Sequence, residues 1–367
     1  MTLSDSFATL RPHIDEATAS SLARLLVRAG ASCRSEEFSE AVLASVRGGK
    51  RFRALMAHIG YSLGAATPLE DVSLPHLGAA LELYQASALV HDDIIDKADE
   101  RRGIPTPHRS LANHHASRSW IGSSMDFGAH AAILVGDFLF SAATAAADEQ
   151  ALRLDEERAR AFARRFADMH AEVALGQYLD IAAEQTPLDP ERSDVLNVSD
   201  ALEVALHKSA HYSVVHPAIL GAICGASTLD DGEALARSLE EILTPWGLAF
   251  QLRDDDLGVF GDPAVTGKPA GDDLREGKRT VLLALTWEAS SPAERSALTE
   301  VLGVAEASPE RLSAATRIVE ANGRAPHEAE IARLVADGHA ALEASSFDDG
   351  ARAMLRELCA ILTARRA

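Results

Sequence analysis

Apolar residues return at helical spacing along nearly the whole 367-residue chain, and the breaks in that pattern are gathered rather than scattered. Helices are predicted over 14–29, 36–47, 51–65 and 75–96, then over 129–148, 155–184, 199–226 and 231–258. The pattern resumes over 280–290, 293–303, 309–322, 326–345 and 348–366. No stretch shows the period-two alternation of a half-buried strand. Ala and Leu abound while aromatics make up only 5% of residues, which favours close helix packing over sheets. No linker with a shifted composition divides the chain, so the expected fold is one all-α domain over 1–367. Residues 1–13 are expected to form a loosely ordered tail.

Bulk charge and cysteine usage narrow the function. A formal charge of −20 would repel a phosphate backbone, which excludes general nucleic-acid binding. Cys33, Cys224 and Cys359 are widely spaced with no CxxC pair, as expected of unpaired thiols in a reducing cytosol. The first residues, Met1 to Ser6, have neither a basic nor an apolar leader region. Charge interrupts the most apolar windows before the ~20 residues of a membrane span. The expectation is a soluble cytoplasmic protein without a transmembrane segment.

Two acidic clusters stand out: His91-Asp92-Asp93-Ile94-Ile95-Asp96 and Arg253-Asp254-Asp255-Asp256. Carboxylates repel one another, and a chain that gathers them commonly holds divalent cations; Mg²⁺ in particular is completed by substrate phosphates rather than by a full protein cage. On a helix over 75–96, Asp92, Asp93 and Asp96 fall within an arc of about 100°, so that all three can face one cavity. Carboxylates at a helix C-terminus also oppose the macrodipole, a cost that bound cations offset. The same face continues through Ala88, Gln85, Tyr84, Leu81 and Leu77, which suits an amphiphile with a charged head and a hydrocarbon body. In the second cluster, Phe250 and Gln251 lie one turn before Asp254 and Asp255.

A long loop rich in Gly, Lys and Arg follows each cluster, 97–130 and 259–279, and loops of that length in compact domains are functional or disordered. Cations run against the acidic background at Gly48-Gly49-Lys50-Arg51-Phe52-Arg53, where a helix start also attracts anions. Others are Arg101-Arg102-Gly103, Lys208-Ser209 inside an apolar helix, and Lys268 and Lys278 in the second loop. Glycines there let backbone approach a ligand and Lys supplies a compact charge, although GxxxxGK[ST] is absent. Together these residues suggest a site that neutralises two polyanions, metals serving one and bare cations the other.

Taken in order, GGKRFR (48–53), DDIID followed by RRG (92–103), GDFL (136–139), GQYLD (176–180), HKS (207–209), FQLRDD (250–255) and GDPAVTGKPAGDDLREGKRT (261–280) resemble the trans-isoprenyl diphosphate synthases. This is the polyprenyl synthetase family, and within it the chain resembles the bacterial geranylgeranyl diphosphate synthases. The resemblance implies a helical bundle around a deep central cavity, assembled as a homodimer. It implies that Asp92, Asp96 and Asp254 ligate Mg²⁺, three ions per site, with Asp93 and Asp255 supporting. Arg101, Lys208 and Lys268 would bind the diphosphate of an allylic substrate (dimethylallyl, geranyl or farnesyl), helped by Gln177 and Gln251. Lys50, Arg53, Gln85 and Arg102 would bind isopentenyl diphosphate, and Ser209 and Lys278 join the substrate-binding set. The second motif departs from the family pattern: Gly258 stands where DDxxD has its last Asp, with Asp256 or Asp262 as candidate replacements. Ser209 stands where Thr is common.

The implied reaction is head-to-tail condensation through an allylic cation, with no catalytic triad or general-base His; His91 is expected to be structural. The resemblance implies that bulky residues four and five positions before the first Asp stop elongation early; Ala88 and Ser87 stand there and are small, and Tyr84, one turn deeper, is the expected floor of the tail channel. The expected product is therefore geranylgeranyl diphosphate, twenty carbons long, with farnesyl or longer products as the alternative. A class I terpene cyclase would need an NDxxSxxxE-type motif that is absent, and a noncatalytic partner subunit would have lost an Asp cluster. An HD-type phosphohydrolase at His91-Asp92 lacks evident further His ligands. Residues 113–128, with Trp120, have no assigned role, and the C-terminal 80 residues read as structural.

Overall fold

The computed structural model describes residues 2–261, 271–304 and 306–363. The protein is all-α, as expected, with helices interrupted by one two-stranded ribbon. Its residues group into two compact units, Met1–Phe166 with Pro217–Leu235, and Ala167–His216 with Ala236–Ala367.

The first unit is built from α1 (Leu3–Arg28), α2 (Glu36–Ser45), α3 (Phe52–Ala65) and α4 (Pro75–Ile95), then α5 (Pro107–Ser117), α6 (Ser124–Ala151) and the start of α7 (Glu156–Gln185). Most of α9 (His216–Gly225) and the start of α10 (Leu229–Phe260) complete it. The loose tail expected over 1–13 is instead the first three turns of α1. Thr2 and Asp5 close a capping box, and Leu3, Phe7, Leu10 and Ile14 are buried at intervals of four, three and four. Pro12 lies inside this helix rather than ending the disorder before it.

The irregular stretch expected over 97–130 is also largely structured. Residues Glu100–Arg101 and Ile104–Pro105 pair antiparallel as β1 and β2, turning through Arg102 and Gly103, both at positive φ. Pro107 then opens α5 at its first turn, where a missing N–H costs nothing, and Ser123 caps α6 through Asp126 N. Between the two helices, Trp120 packs edge-on against His115 and Phe127, which gives residues 113–128 a structural role. Small residues allow close crossings: a Cβ on Gly60 would overlap the Ala218 carbonyl, and one on Gly221 the Ala57 carbonyl. By length and composition α6 is apolar enough to cross a membrane, yet Ala132, Val135, Gly136, Leu139 and Ala143 along it are buried within the protein.

The second unit holds the rest of α7, α8 (Val198–Ala205), a π-helical segment (Leu206–Val215) and most of α10. It continues through α11 (Asp272–Glu276), α12 (Val281–Ala289), α13 (Pro292–Thr299), α14 (Pro309–Ile318), a π turn (Val319–Gly323), α15 (Arg324–Ala344) and α16 (Asp349–Thr363). The helix expected over 199–226 is thus three segments, with the π winding in its middle. Trp287, Leu282, Leu283, Leu298 and Val319 form one core cluster, and Ala249, Leu252, Ile331 and Leu334 another. Each fully buried Leu or Ile adds roughly 1.5–3 kcal/mol relative to exposure. The second cluster ties α10, which carries the second Asp motif, to α12 and α15.

Candidate active site

In the first unit, the acidic end of α4 is sorted by depth. Asp93 is 2% exposed, whereas Asp92 and Asp96, one turn apart, remain partly open. Arg101 on β1 reaches Asp93 with Nη2 at 2.7 Å and Nε at 2.8 Å, and Asp92 at 3.4 Å. Burial pushes the Asp93 carboxyl above its ordinary value, and the Arg101 guanidinium works against that push. Asp93 is therefore held against Arg101 while Asp92 and Asp96 stay partly open. Arg101, expected at a diphosphate, is engaged here by two of the carboxylates.

The loop before α3 is arranged around Arg51. Its φ is +54°, and its buried guanidinium meets Asp15 at 2.5 Å, Glu82 at 3.4 Å and the Val46 carbonyl at 2.6 Å. Arg51 thus anchors the loop that carries Lys50 and the start of α3, which carries Arg53. Arg102 lies over Gly49, where any Cβ would press on its guanidinium at 3.2 Å, and donates to the Arg47 carbonyl at 3.2 Å. The fold therefore brings the GGKRFR loop and Arg102 together. Burial, reinforced by Arg101 and Arg51, lowers the Arg102 pKa, as expected of a cation held among cations.

Along α4, Gln85, the residue after Tyr84, is partly open, and Ser87 donates to the Gly136 carbonyl of α6 at 2.8 Å. The His91 ring lies against Gly136, with Nε2 3.3 Å from the Ile133 carbonyl. Tyr84 is buried and packs edge-on against Phe140 with ring centroids 6.0 Å apart. Phe140 was not singled out from the sequence; its place next to the GDFL motif, three residues on from Asp137, was the available signal.

In the second unit, the end of α10 carries Asp254 exposed and Asp255 and Asp256 buried. Gln251 donates to Asp255 at 2.8 Å. Burial raises the Asp255 pKa well above the ordinary value, the Asp273 and Asp254 charges add to that, and Gln251 and Lys278 oppose it. Asp256 faces elsewhere, 3.5 Å from Arg324 and 3.9 Å from Arg253, which itself forks onto Glu328 of α15. Asp256 is therefore an internal ion-pair partner. A residue missed in the sequence stands at the gap left by Gly258: a Cβ there would overlap the Asp273 carboxylate of α11. The signal was Asp272-Asp273 in the loop that follows. Lys278 meets Glu276 at 2.5 Å and Asp273 at 3.9 Å.

Lys208 sits on the π segment with Nζ 2.5 Å from Asp180, the last residue of GQYLD. Gly176 makes this possible, because a Cβ there would overlap the Lys208 backbone. Gln177 and Ser209 are both partly open on these same elements. Lys268 and Asp262 lie outside the described residues.

This donor set fits a hard divalent cation: it is all oxygen, and the Asp273 and Asp254 charges add to the cost of ionising the buried Asp255. Residues 35–319 match the polyprenyl synthetase family model.

The chain belongs to the polyprenyl synthetase family.

Among its relatives is a geranylfarnesyl diphosphate synthase of Aeropyrum pernix, 31% identical over 288 residues, 78% of this chain and 80% of that protein. A (2E,6E)-farnesyl diphosphate synthase of Mycobacterium bovis is 30% identical over 330 residues, 87% of this chain and 80% of that one. Among solved structures, geranylgeranyl pyrophosphate synthase from Corynebacterium glutamicum, complexed with isoprenyl diphosphate and magnesium, superposes with a TM-score of 0.83. It is 35% identical, covering 96% of this chain and 99% of that one. This polyprenyl synthetase is accordingly a transferase, a trans-prenyltransferase that uses a divalent metal, and the cyclase, hydrolase and noncatalytic readings give way.

Proposed function

We propose that this synthetase condenses isopentenyl diphosphate with dimethylallyl, geranyl or farnesyl diphosphate and releases geranylgeranyl diphosphate. The observation that carries the product length is the profile of α4. Ala88 and Ser87 are small, Ser87 is hydrogen-bonded to α6, and the next bulky level is the Tyr84–Phe140 pair.

Asp92, Asp96 and Asp254 ligate Mg²⁺ in this reading, with three ions per site, Asp93 and Asp255 supporting, and Asp273 supplying the carboxylate missing at Gly258. Bound Mg²⁺ supplies Lewis acidity to the departing diphosphate. Arg101, Lys208 and Lys268 hold the allylic diphosphate, helped by Gln177 and Gln251, and add positive charge where negative charge develops. Lys50, Arg53, Gln85 and Arg102 hold isopentenyl diphosphate, with Ser209 and Lys278 alongside. Loss of the final proton needs no histidine, since the released diphosphate can take it.

The enzyme acts as one catalytic domain, since the boundaries between its two units fall inside helices α7, α9 and α10 rather than in linkers. It works in the cytoplasm as a homodimer; Ile133 and Leu134, exposed next to each other on α6, support a second copy as the occupant of that face. The test is incubation with labelled isopentenyl diphosphate, each allylic primer and Mg²⁺, with products dephosphorylated and sized. Geranylgeraniol is the expected alcohol. A dominant shorter or longer alcohol would refute the length, and a hydrocarbon would refute the reaction.

A further inference from the structure

His207, His211 and His216 are spaced four and five apart, a spacing that does not keep all three on one face of an α-helix. The π segment changes that. At 3.6 residues per turn, nine residues make two and a half turns and would put His216 on the side opposite His207. With i→i+5 winding over Leu206–Val215, intervals of four and five each approximate one turn, and all three imidazoles fall on one side.

They converge on one carboxylate of α7. His211 Nδ1 lies 2.5 Å from Glu172 Oε1, His207 Nδ1 2.6 Å from the same oxygen, and His216 Nε2 2.6 Å from Oε2. The ligand atoms of Glu172, His211 and His216 all lie within 4.8 Å of one another. The group is largely shielded, with side-chain exposures of 19%, 17% and 7%. Single π turns inside helices are found frequently at functional sites.

We propose that Glu172, His211 and His216 form a metal site separate from the Mg²⁺ carboxylates, taking one Zn²⁺ or a similarly nitrogen-preferring divalent cation. Two imidazole nitrogens and a carboxylate oxygen are a usual zinc donor set, with the fourth position left to His207 or water. Mg²⁺ prefers oxygen and retains its waters, so it competes poorly here. Zinc–donor distances near 2.1 Å in a tetrahedron would spread the donors to about 3.3 Å, a displacement of less than about 1 Å per side chain.

The site's position gives it a purpose. Glu172, Gly176 and Asp180 follow one another at four-residue steps on α7, and all three meet the π segment: Glu172 its histidines, Gly176 its backbone, Asp180 its Lys208. An ion at Glu172 would clamp the π segment to α7 two turns from the Lys208–Asp180 pair.

The test uses full-length enzyme, stripped with chelator and dialysed into excess MgCl₂ so that the aspartate clusters are served, then titrated with ZnSO₄. Metal analysis after equilibrium dialysis is expected to show one zinc equivalent and a rise in melting temperature. His211→Ala and His216→Ala should each weaken that equivalent by about tenfold or more, as should Glu172→Gln, which keeps the side chain's volume. Asp92→Ala should leave it intact. Cobalt(II) gives an independent readout, since tetrahedral binding produces strong visible bands that the histidine variants should lose. No zinc equivalent in the unaltered protein, one that survives in all three variants, or one lost in Asp92→Ala would overturn the proposal. None of these readouts depends on prenyl transfer, so failure here and failure of the proposed reaction are distinguishable.

Discussion

The two acidic motifs are built on the same plan, a helix ending in adjacent aspartates, yet their charge is handled differently. At the end of α4, the buried Asp93 has a full partner in Arg101, bonded twice. At the end of α10, among the described residues, the buried Asp255 meets a Gln251 amide and a more distant Lys278, while Asp273 and Asp254 press their charges on it. The cations near that end, Arg253 and Arg324, are spent on Asp256 and Glu328. One motif is therefore compensated before any ligand arrives, and the other is poised for a cation. A fold can hold one carboxylate cluster rigid and leave its counterpart responsive simply by choosing which aspartate receives the arginine.

Removing a ligand from either motif should produce the largest effect. Asp92→Ala and Asp254→Ala should each lower kcat by about a thousandfold or more, the scale on which electrostatic stabilisation of a leaving group acts. Circular dichroism should stay unchanged, since Asp92 is partly open and Asp254 exposed. Near-normal turnover in either would break the comparison at its root.

Asp273→Asn tests the uncompensated motif. If Asp273 fills the gap at Gly258, the variant should need at least about tenfold more Mg²⁺ for half-maximal rate, a shift measured by metal titration. Arg101→Gln is the matching change at the first motif, and it should act on stability, because it leaves Asp93 buried and unpaired, at a cost of roughly 3–5 kcal/mol. Urea denaturation separates the two outcomes.

Acid should find the second motif's support first. His327 on α15 is fully buried beside Glu328, and burial lowers its pKa to about 4. A histidine depressed in the folded state stabilises above its unfolded pKa of about 6.5, and that stability is lost as pH falls toward 4. Melting temperature should therefore drop across that window by an amount equivalent to at most about 3 kcal/mol, and His327→Gln should flatten the slope. An unchanged slope would mean that other groups set the acid limit.

How much of this was legible in the sequence differs between the same two regions. The α4 motif was the more legible, because Asp92, Asp93 and Asp96 lie on one helix end and helical geometry relates them directly, although Arg101's pairing with Asp93 was not foreseen. Even so, residues 1–13 and 97–130 were expected as tail and loop, whereas α1 starts at Leu3 with Pro12 inside it and Pro107 opens α5. The α10 motif could not be read whole: Asp273 and Arg324 come from helices far along the chain, and no local period announces that they will meet Asp255 and Asp256. The π segment was hidden for another reason. Residues 199–226 fit a helical pattern, and nothing in an apolar period of 3.6 reveals a local winding of i→i+5, so the histidines aligned by it stayed invisible.

The smallest expected change in rate belongs to Tyr84, although it should alter the product most. Tyr84 stands two turns behind Asp92 on α4, buried and edge-on to Phe140, so it limits depth without touching the charged groups. Replacing it by Ala removes the ring while leaving Arg101 on Asp93, so kcat per condensation should stay within about threefold. The chain should then pass the old floor and stop later, moving the main product from twenty carbons to twenty-five or more. The deletion leaves a cavity costing about 3–5 kcal/mol, so assays belong well below the melting temperature. Phe140→Ala separates two meanings of the same result. If the pair acts as one barrier, either variant lengthens the product and the double variant adds little; if Tyr84 acts alone, Phe140→Ala leaves the product as it was. Chromatography of the dephosphorylated alcohols decides this, and an unaltered profile in Tyr84→Ala would move the floor off α4 altogether.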